Sequence, residues 1–240
     1  MRQENRIELP EGIIRPGMQD WTNEGIPIPV WAPIFNREEF EKHSFFLENR
    51  NASFVETGTF YGHGVLSAIA VGCVDIHSIE IKRDLFGYTS CMLDLLAYHN
   101  AHNFEIETYK RNDFYSIIFG NRIRISLYLG DSCVLLPKVL QRINVKSTFW
   151  LDAHYSGEET GFSKTSGKFP IYKELETIAR HNIKNHTIMI DDMATFETNF
   201  PGGLSKLKST LYSINKKYNI TKKSKSNDDS VMIAKVDEKD

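Results

Sequence analysis

Residues 54–84, FVETGTFYGHGVLSAIAVGCVDIHSIEIKRD, decide the fold of this chain. The stretch begins with a short apolar run that ends at Glu56. A turn with three spaced glycines follows: Gly58, Gly62 and Gly64. Next come an apolar segment of helical length and a second strand-like run that carries Glu80 near its end. Strand, glycine turn, helix and acid-terminated strand indicate a βαβ unit for a nucleotide-like ligand.

Each part of this unit has a physical reason. Glycine has no Cβ, so the backbone turns sharply and approaches a ligand closely. The helix that follows begins with free N–H groups that face the ligand. The carboxylate of Glu80, at the end of the second strand, is placed to accept hydrogen bonds from two ribose hydroxyls.

The glycine turn fits two superfamilies. From Glu56 it reads E-x-G-x-x-x-G-x-G and resembles motif I of class I S-adenosylmethionine (SAM)-dependent methyltransferases. From Thr57 it reads T-G-x-x-x-G-x-G and equally resembles the cofactor turn of NAD(P)-dependent short-chain dehydrogenases. That family uses a catalytic Tyr-x-x-x-Lys, a spacing that Tyr212 and Lys216 match. The glycine turn does not distinguish these two superfamilies, so later motifs in the chain are needed to do so.

Length and composition favour one globular domain with an appendage among these 240 residues. A net charge of −2 gives no drive towards nucleic acid or an anionic membrane, and the lysine-rich C-terminal part is predicted to be a solvated face. No apolar run is long enough to span a membrane. The three cysteines show no metal or disulfide spacing and are interpreted as buried apolar side chains in a reducing compartment, so we expect a cytoplasmic protein.

Residues 1–45 differ from the rest because they hold five of the eight prolines. This density argues against an interior strand or a long helix. We interpret 1–45 as an extended arm over the domain, or as a lid or dimer arm. Residues 46–240 are interpreted as the domain that resembles class I methyltransferases. A homo-oligomer formed through the arm is possible in this interpretation. A short helix is predicted over Arg37 to Asn49.

Strands and helices alternate through the rest of the chain. This alternation predicts a three-layer α/β/α Rossmann-like sandwich whose mostly parallel sheet ends in an antiparallel hairpin. A long helix is predicted from Arg83 to Ala101, with a buried stripe of Leu85, Tyr88, Met92, Leu95 and Leu96. Residues 103–122 lack a clear periodicity and are predicted to form a loop.

Acidic residues follow five successive predicted strands: Glu56, Glu80, Asp131, Asp152 and the Asp191-Asp192 pair. The carboxyl ends of parallel strands meet at one edge of the sheet, where ligands bind. So many carboxylates would repel one another without a cation or a donor-rich group between them. The sequence therefore predicts a bound cation or a positively charged ligand at this edge.

From Glu56 onwards, this layout resembles the class I methyltransferase fold. The resemblance implies that the motif I loop holds the amino-acid end of SAM, that Glu80 binds its ribose, and that Asp131 lies by its adenine. The cofactor-binding residues implied are Glu56, Thr57, Gly58, Thr59, Gly62, Gly64, Glu80, Asp131, Ser132 and Asp152.

Two later motifs narrow the resemblance. The segments WLDAHYSG (150–157) and IDDM (190–193) resemble metal-dependent O-methyltransferases, especially the macrocin type, which acts on sugar hydroxyls. The resemblance implies Asp152, Asp191 and Asp192 as ligands of Mg²⁺. Carboxylate oxygens without soft ligands suit Mg²⁺ or another hard divalent cation.

His154 departs from that family, which more often has a second acid at this position. Asp152 and His154 share a face if the strand continues, so we expect both to be catalytic, with His154 as a general base. The expected activity is SAM-dependent, Mg²⁺-assisted methylation of a hydroxyl on a sugar or another small polyhydroxy acceptor. The alternatives are a short-chain dehydrogenase-like oxidoreductase and a non-catalytic SAM-binding protein.

Overall fold

One mixed sheet of nine strands runs through the described part of the chain. The computed structural model describes residues 37–102, 104–120, 122–154, 161–163, 165, 167, 169–194, 202–225 and 229–237, with the backbone alone over 37–41. The strands are β1 (Ser53–Thr57), β2 (Asp75–Glu80), β3 (Ile106–Arg111), β4 (Phe114–Phe119), β5 (Ile123–Leu129), β6 (Ser147–Leu151), β7 (Thr187–Ile190), β8 (Asn219–Ser224) and β9 (Ser230–Lys235). Their spatial order is β3-β4-β5-β2-β1-β6-β7-β9-β8.

The five central strands are parallel, and an antiparallel hairpin extends the sheet on each side. Strand β1 lies between β2 and β6, where the strand order reverses direction. Crevices beyond the carboxyl ends of the strands at such a reversal are the usual ligand sites of open α/β sheets. The fold therefore places the glycine turn, which follows β1, at the expected binding crevice.

Helices cover both faces of the sheet. They are α1 (Arg37–Asn49), α2 (His63–Ala70), α3 (Arg83–Asn100), α4 (Ser132–Leu140), α5 (Ile171–Arg180) and α6 (Gly203–Ile214). Side chains of α1–α3 form one core with Phe54 of β1, while those of α4–α6 form a second core with the next residue, Val55. This confirms the predicted three-layer α/β/α sandwich. None of the described helices is both long and apolar enough to cross a membrane.

Most of the predicted elements match the structure. The predicted range for α1 coincides with the observed one, and the C-terminal hairpin lies at the sheet edge as expected. The prediction of a loop over 103–122 is wrong, because β3 and β4 form a hairpin there. Strand β3 lies at the sheet edge and is almost entirely exposed, so its sequence carries no apolar alternation. Strand β4 has large apolar residues on both faces, which hides its period of two.

The predicted buried stripe of α3 is partly wrong. Tyr88 and Leu95 are exposed, at 55% and 54%, whereas the buried face includes Phe86 and Leu93. Apolar residues lie on two sides of this helix, so the helical spacing of apolar residues does not determine which side is buried. Cys91 is also exposed, contrary to the expectation that all three cysteines are buried.

Helix α1 packs as part of the main domain. The ring of Phe46 lies 4.9 Å from that of Phe54 and 5.0 Å from that of Trp150, measured between centroids. The predicted domain boundary at residue 45 thus falls inside a helix whose side chains enter the core. The predicted arm lies, up to residue 36, outside the described residues, so its role stays a prediction.

We predict that Phe46→Ala lowers the free energy of unfolding by about 3–5 kcal/mol, because it removes a fully buried ring and leaves a cavity against two aromatic neighbours. Equilibrium urea unfolding measures this change. Tyr98→Ala is the control: its side chain is 75% exposed, so the change should stay within about 0.5 kcal/mol. If Phe46→Ala lowers the free energy of unfolding no more than Tyr98→Ala does, the packing of α1 on the sheet is contradicted.

Candidate functional site

The glycine positions of the turn after β1 are packed too closely to hold a larger residue. Gly58 has a φ of +84°, and a Cβ there would lie 2.5 Å from the backbone oxygen of Asp152. A Cβ on Gly64, at the start of α2, would lie 1.6 Å from Glu56 Oε1. Gly62 also has a φ of +84°. The turn therefore brings the backbone of β1 and the Glu56 carboxyl against the beginning of α2, as the motif predicts.

Glu56 is a buried acid with one unsatisfied oxygen. Its Oε2 accepts a hydrogen bond from Ser78 Oγ at 2.7 Å, and that hydroxyl also lies 2.5 Å from Thr59 Oγ1. Its Oε1 has no hydrogen-bond partner among the described residues. Burial raises the pKa of Glu56 to about 8, although the Lys42 ammonium acts in the opposite direction. A buried carboxyl of this kind favours a ligand that brings a donor or a positive charge.

Glu80 lies at the end of β2, where the sequence predicts it. Its two carboxyl oxygens accept hydrogen bonds from Phe60 N at 2.9 Å and from Lys82 N at 2.8 Å. Burial raises its pKa, and these backbone donors offset part of the shift. Phe60 has a φ of +50°, so the glycine turn bends sharply to reach this carboxyl. The Glu80 carboxyl thus connects the glycine turn to the end of β2 by a hydrogen bond.

Asp131 lies just before α4 and accepts hydrogen bonds on both of its carboxyl oxygens. Its Oδ1 accepts from Cys133 N at 2.9 Å, which caps the helix that starts at Ser132. Its Oδ2 accepts from Ser163 Oγ at 2.7 Å. Burial raises the pKa of Asp131, but these hydrogen bonds outweigh it and hold the pKa below the usual value. Ser163 therefore lies beside the acid that the resemblance places near adenine.

The ends of β6 and β7 bring the three predicted metal ligands into one region. Asp152 and Asp192 both face His154: its Nε2 lies 3.0 Å from Asp192 Oδ2 and its Nδ1 3.6 Å from Asp152 Oδ1. Burial lowers the pKa of His154, but the carboxylates outweigh burial and raise it. Burial, with Asp152 nearby, raises the pKa of Asp191 to about 7. The site thus favours extra positive charge.

Two lysines that sequence reasoning missed lie among these acids. Lys42 Nζ on α1 is 3.4 Å from Asp152 Oδ2 and 4.8 Å from the centre of the Trp150 ring. Lys225 Nζ lies 2.7 Å from Asp191 Oδ1 and 3.0 Å from Asp192 Oδ1. Lys225 belongs to the lysine-rich part that we expected to be a solvated face, and its side chain is only 11% exposed. Composition carries no signal that separates it from its exposed neighbours.

Glu174 on α5 is a second buried acid that the sequence did not reveal. It is 1% exposed, and its Oε1 has no hydrogen-bond partner among the described residues. Burial raises its pKa to about 7, and the Ser132 hydroxyl offsets part of the shift. Glu174 lines a small cavity together with His154 and Asp191. In the sequence it is one polar position in an amphipathic helix, with nothing to distinguish it from the exposed ones.

The side chains of the acid cluster have the oxygen and nitrogen atoms that could ligate a divalent cation. Atoms of Asp152, His154 and Asp192 lie within 4.8 Å of one another, as do atoms of Asp191, Asp192 and Asp229. These carboxylates also face the ammonium groups of Lys42 and Lys225. Carboxylate oxygens are the donors that hard cations prefer.

Comparisons with known proteins reveal similar structures but no similar sequences. No protein-family model and no curated protein matches the chain. An O-methyltransferase from Bacillus cereus, solved with SAH, has 10% identity and a TM-score of 0.53, with 92% of this chain and 88% of that one covered. The O-methyltransferase TomG from Streptomyces achromogenes, solved with SAM, has 12% identity and a TM-score of 0.50, covering 92% and 86%.

Cofactor-bound Rv0187 from MTB has 12% identity and a TM-score of 0.52, with 92% of this chain and 89% of that chain covered. At these identities the likeness concerns the fold. The described part of the chain has the same Rossmann-like fold as these three structures.

We predict that Gly58→Ala destabilises the protein by about 2–4 kcal/mol, because the alanine is strained at a φ of +84° and its Cβ meets the backbone of Asp152. Urea unfolding at equilibrium measures the change. Gly87→Ala is the matched control, since a Cβ there meets nothing within 4 Å and Gly87 lies inside α3, so it should stabilise by about 0.5–1 kcal/mol. Equal effects of the two substitutions would contradict the packing of the turn.

Proposed function

We propose that this protein is a SAM-dependent O-methyltransferase that acts on a hydroxyl of a sugar or another small polyhydroxy acceptor, assisted by Mg²⁺ or another hard divalent ion. One observation carries the proposal. At the point where the strand order reverses, the buried acid Glu56 lies against the glycine turn, and its Oε1 has no hydrogen-bond partner among the described residues. The acids at the ends of four further parallel strands lie at the same edge of the sheet. That arrangement suits a small ligand with a positive charge and a diol.

The residues around the turn suit SAM. Glu56 Oε1 would accept from its ammonium group, and Glu80 would accept from its ribose hydroxyls, since each carboxylate oxygen has a second lone pair. Thr57, Thr59 and the turn glycines would hold the amino-acid end, with Asp131, Ser132 and Asp152 completing the site. When bound, SAM supplies an electrophilic methyl group on a sulfonium centre. Two of the similar structures were solved with SAH or SAM bound.

Asp152, Asp191 and Asp192 would hold the divalent ion. Their carboxylates come from the ends of β6 and β7, and the pKa of Asp191 is raised to about 7 because burial disfavours its charged form and Asp152 repels it. When bound, the ion supplies positive charge that lowers the pKa of an acceptor hydroxyl. Lys42 would hold the carboxyl of Asp152 in place.

His154 would act as the general base. Its Nε2 donates to Asp192 Oδ2, which orients the ring, and Nδ1 is the atom that would take the acceptor's proton. The overall transfer forms an O–C bond to the acceptor and breaks the S–C bond of the sulfonium, so the products are a methyl ether, a thioether and a protonated His154. Its raised pKa makes this imidazole a stronger base.

The alternatives find less support in the structure. The Tyr212 side chain is 44% exposed on α6, and Lys216 lies beyond the end of that helix, so the dehydrogenase pair does not share a helical face. A non-catalytic SAM-binding protein would not need His154 and Asp152 beside the acid pair. The cytoplasmic location expected from the cysteines stays a prediction.

Transfer of a labelled methyl group from SAM to a panel of hexoses, their glycosides and catechol tests the proposal. We expect a labelled product whose formation falls at least about a hundredfold in His154→Gln and Asp152→Asn, and falls on adding EDTA. Tyr212→Phe should keep full activity. Hydride transfer from NADPH that disappears in Tyr212→Phe would contradict the proposal, and methyl transfer unaffected by Asp152→Asn would contradict the assigned site.

We also predict that SAM binds more tightly as the pH rises from about 6 to about 7.5, by up to about tenfold per pH unit. The pKa of Glu56 is about 8 in the free protein, so the carboxyl must lose its proton before it accepts from an ammonium group. Calorimetry in buffers of different ionisation enthalpy would then detect proton release on binding. Glu56→Gln should abolish that release, and an unchanged release in this variant would exclude Glu56 as its source.

A further inference from the structure

Lys225 occupies the centre of a group of three carboxylates. Besides Asp191 and Asp192, its ammonium group lies 3.3 Å from Asp229 Oδ2, and the contacting carboxyl oxygens come from two different parts of the sheet. Asp191 is 8% exposed and Asp229 14% exposed at the side chain. A lysine held by three acids at this depth is not part of a solvated face.

Both ends of this contact are fixed by backbone hydrogen bonds. Lys225 N donates to Asp229 O at 2.8 Å, which joins the residue after β8 to the residue before β9. Asp229 Oδ1 accepts from Ala194 N at 2.9 Å and from Ser230 N at 2.7 Å, so its other oxygen is aimed at Lys225. The hairpin is therefore joined to the segment after β7, and it presents Lys225 and Asp229 to the acid pair.

The ammonium group lies among carboxylates that could hold a metal ion. Asp191, Asp192 and Asp229 each have an oxygen within 4.8 Å of one on the other two, an arrangement that can hold a divalent ion. Lys225 Nζ forms an ion pair with each of these three carboxylates, at 2.7, 3.0 and 3.3 Å. Two cations cannot lie among the same three carboxylates at such short range without strong repulsion. Either the ammonium group or an ion can occupy this place at one time.

We infer that Lys225 is a tethered cation that occupies the pocket formed by Asp191, Asp192 and Asp229 and competes with a divalent ion for it. Asp229 is then a ligand of that pocket when an ion takes the place of the ammonium group. The inference rests on the proposed function for the choice of a divalent ion, while the pocket itself rests on the contacts of Lys225. Lys225 therefore keeps the acid pair neutralised when no ion is bound, and it weakens binding of the ion.

Titration of Mn²⁺, followed by the electron paramagnetic resonance signal of the free ion, tests this competition. We expect Lys225→Ser to bind Mn²⁺ at least about tenfold more tightly than the original protein, because it removes a competing positive charge. Asp229→Asn, added to Lys225→Ser, should remove most of this gain. Lys223→Ser is the matched control: Lys223 is on the same hairpin, but it pairs with Glu48 at the surface, so its loss should leave Mn²⁺ affinity unchanged.

Unchanged or weaker Mn²⁺ binding by Lys225→Ser overturns the inference, and so does an equal gain in Lys223→Ser. Lys225→Ser leaves three close acids uncompensated, so the variant is also tested for folding by circular dichroism with and without Mn²⁺. Folding that requires Mn²⁺ supports the inference, because the ion then replaces the ammonium group. A variant that stays unfolded in both conditions overturns it. Calorimetric titration of SAM into the original protein separately tests the proposed function.

Discussion

Carboxylates from five strand ends meet at one edge of the sheet, and the need to balance their charge shapes the rest of the structure. The parallel order of β5, β2, β1, β6 and β7 makes this convergence unavoidable, because each strand delivers its last residue to the same edge. Buried carboxylates this close are costly unless cations or donors accompany them. Elements far apart in the sequence supply those partners: Lys42 comes from α1 and Lys225 from the β8–β9 hairpin.

This constraint gives the outer elements of the fold a role in the site. Helix α1 packs Phe46 on the sheet and extends Lys42 over Trp150 towards Asp152. The C-terminal hairpin closes the sheet edge and carries the ammonium group that faces the acid pair. Helix α5 buries Glu174 beside the same cavity. The acid-rich edge is therefore built by the whole domain, and not by the glycine turn alone.

The features that the sequence predicted correctly are those that local sequence patterns encode. Alternating strands and helices give the layer order, and an acid directly after a strand has its position set by the strand, which is why Glu80 and Asp191 lie where expected. Partners that arrive from distant elements leave no such pattern. Lys225 looks like any other residue of a lysine-rich segment, and only the pairing of β8 with β9 brings it to the acids. Strand β3 was missed because an exposed edge strand needs no apolar alternation.

Calorimetric titration of SAM, compared with NADPH, into the purified protein is the sharpest test of the proposed cofactor site. We expect SAM to bind at one site per chain and NADPH not to bind, because the buried acids at the glycine turn suit a cationic ligand and disfavour phosphates. Binding of NADPH without binding of SAM would show that the proposed cofactor is wrong. The glycine turn would then belong to a dehydrogenase, and the acids at the strand ends would need another explanation.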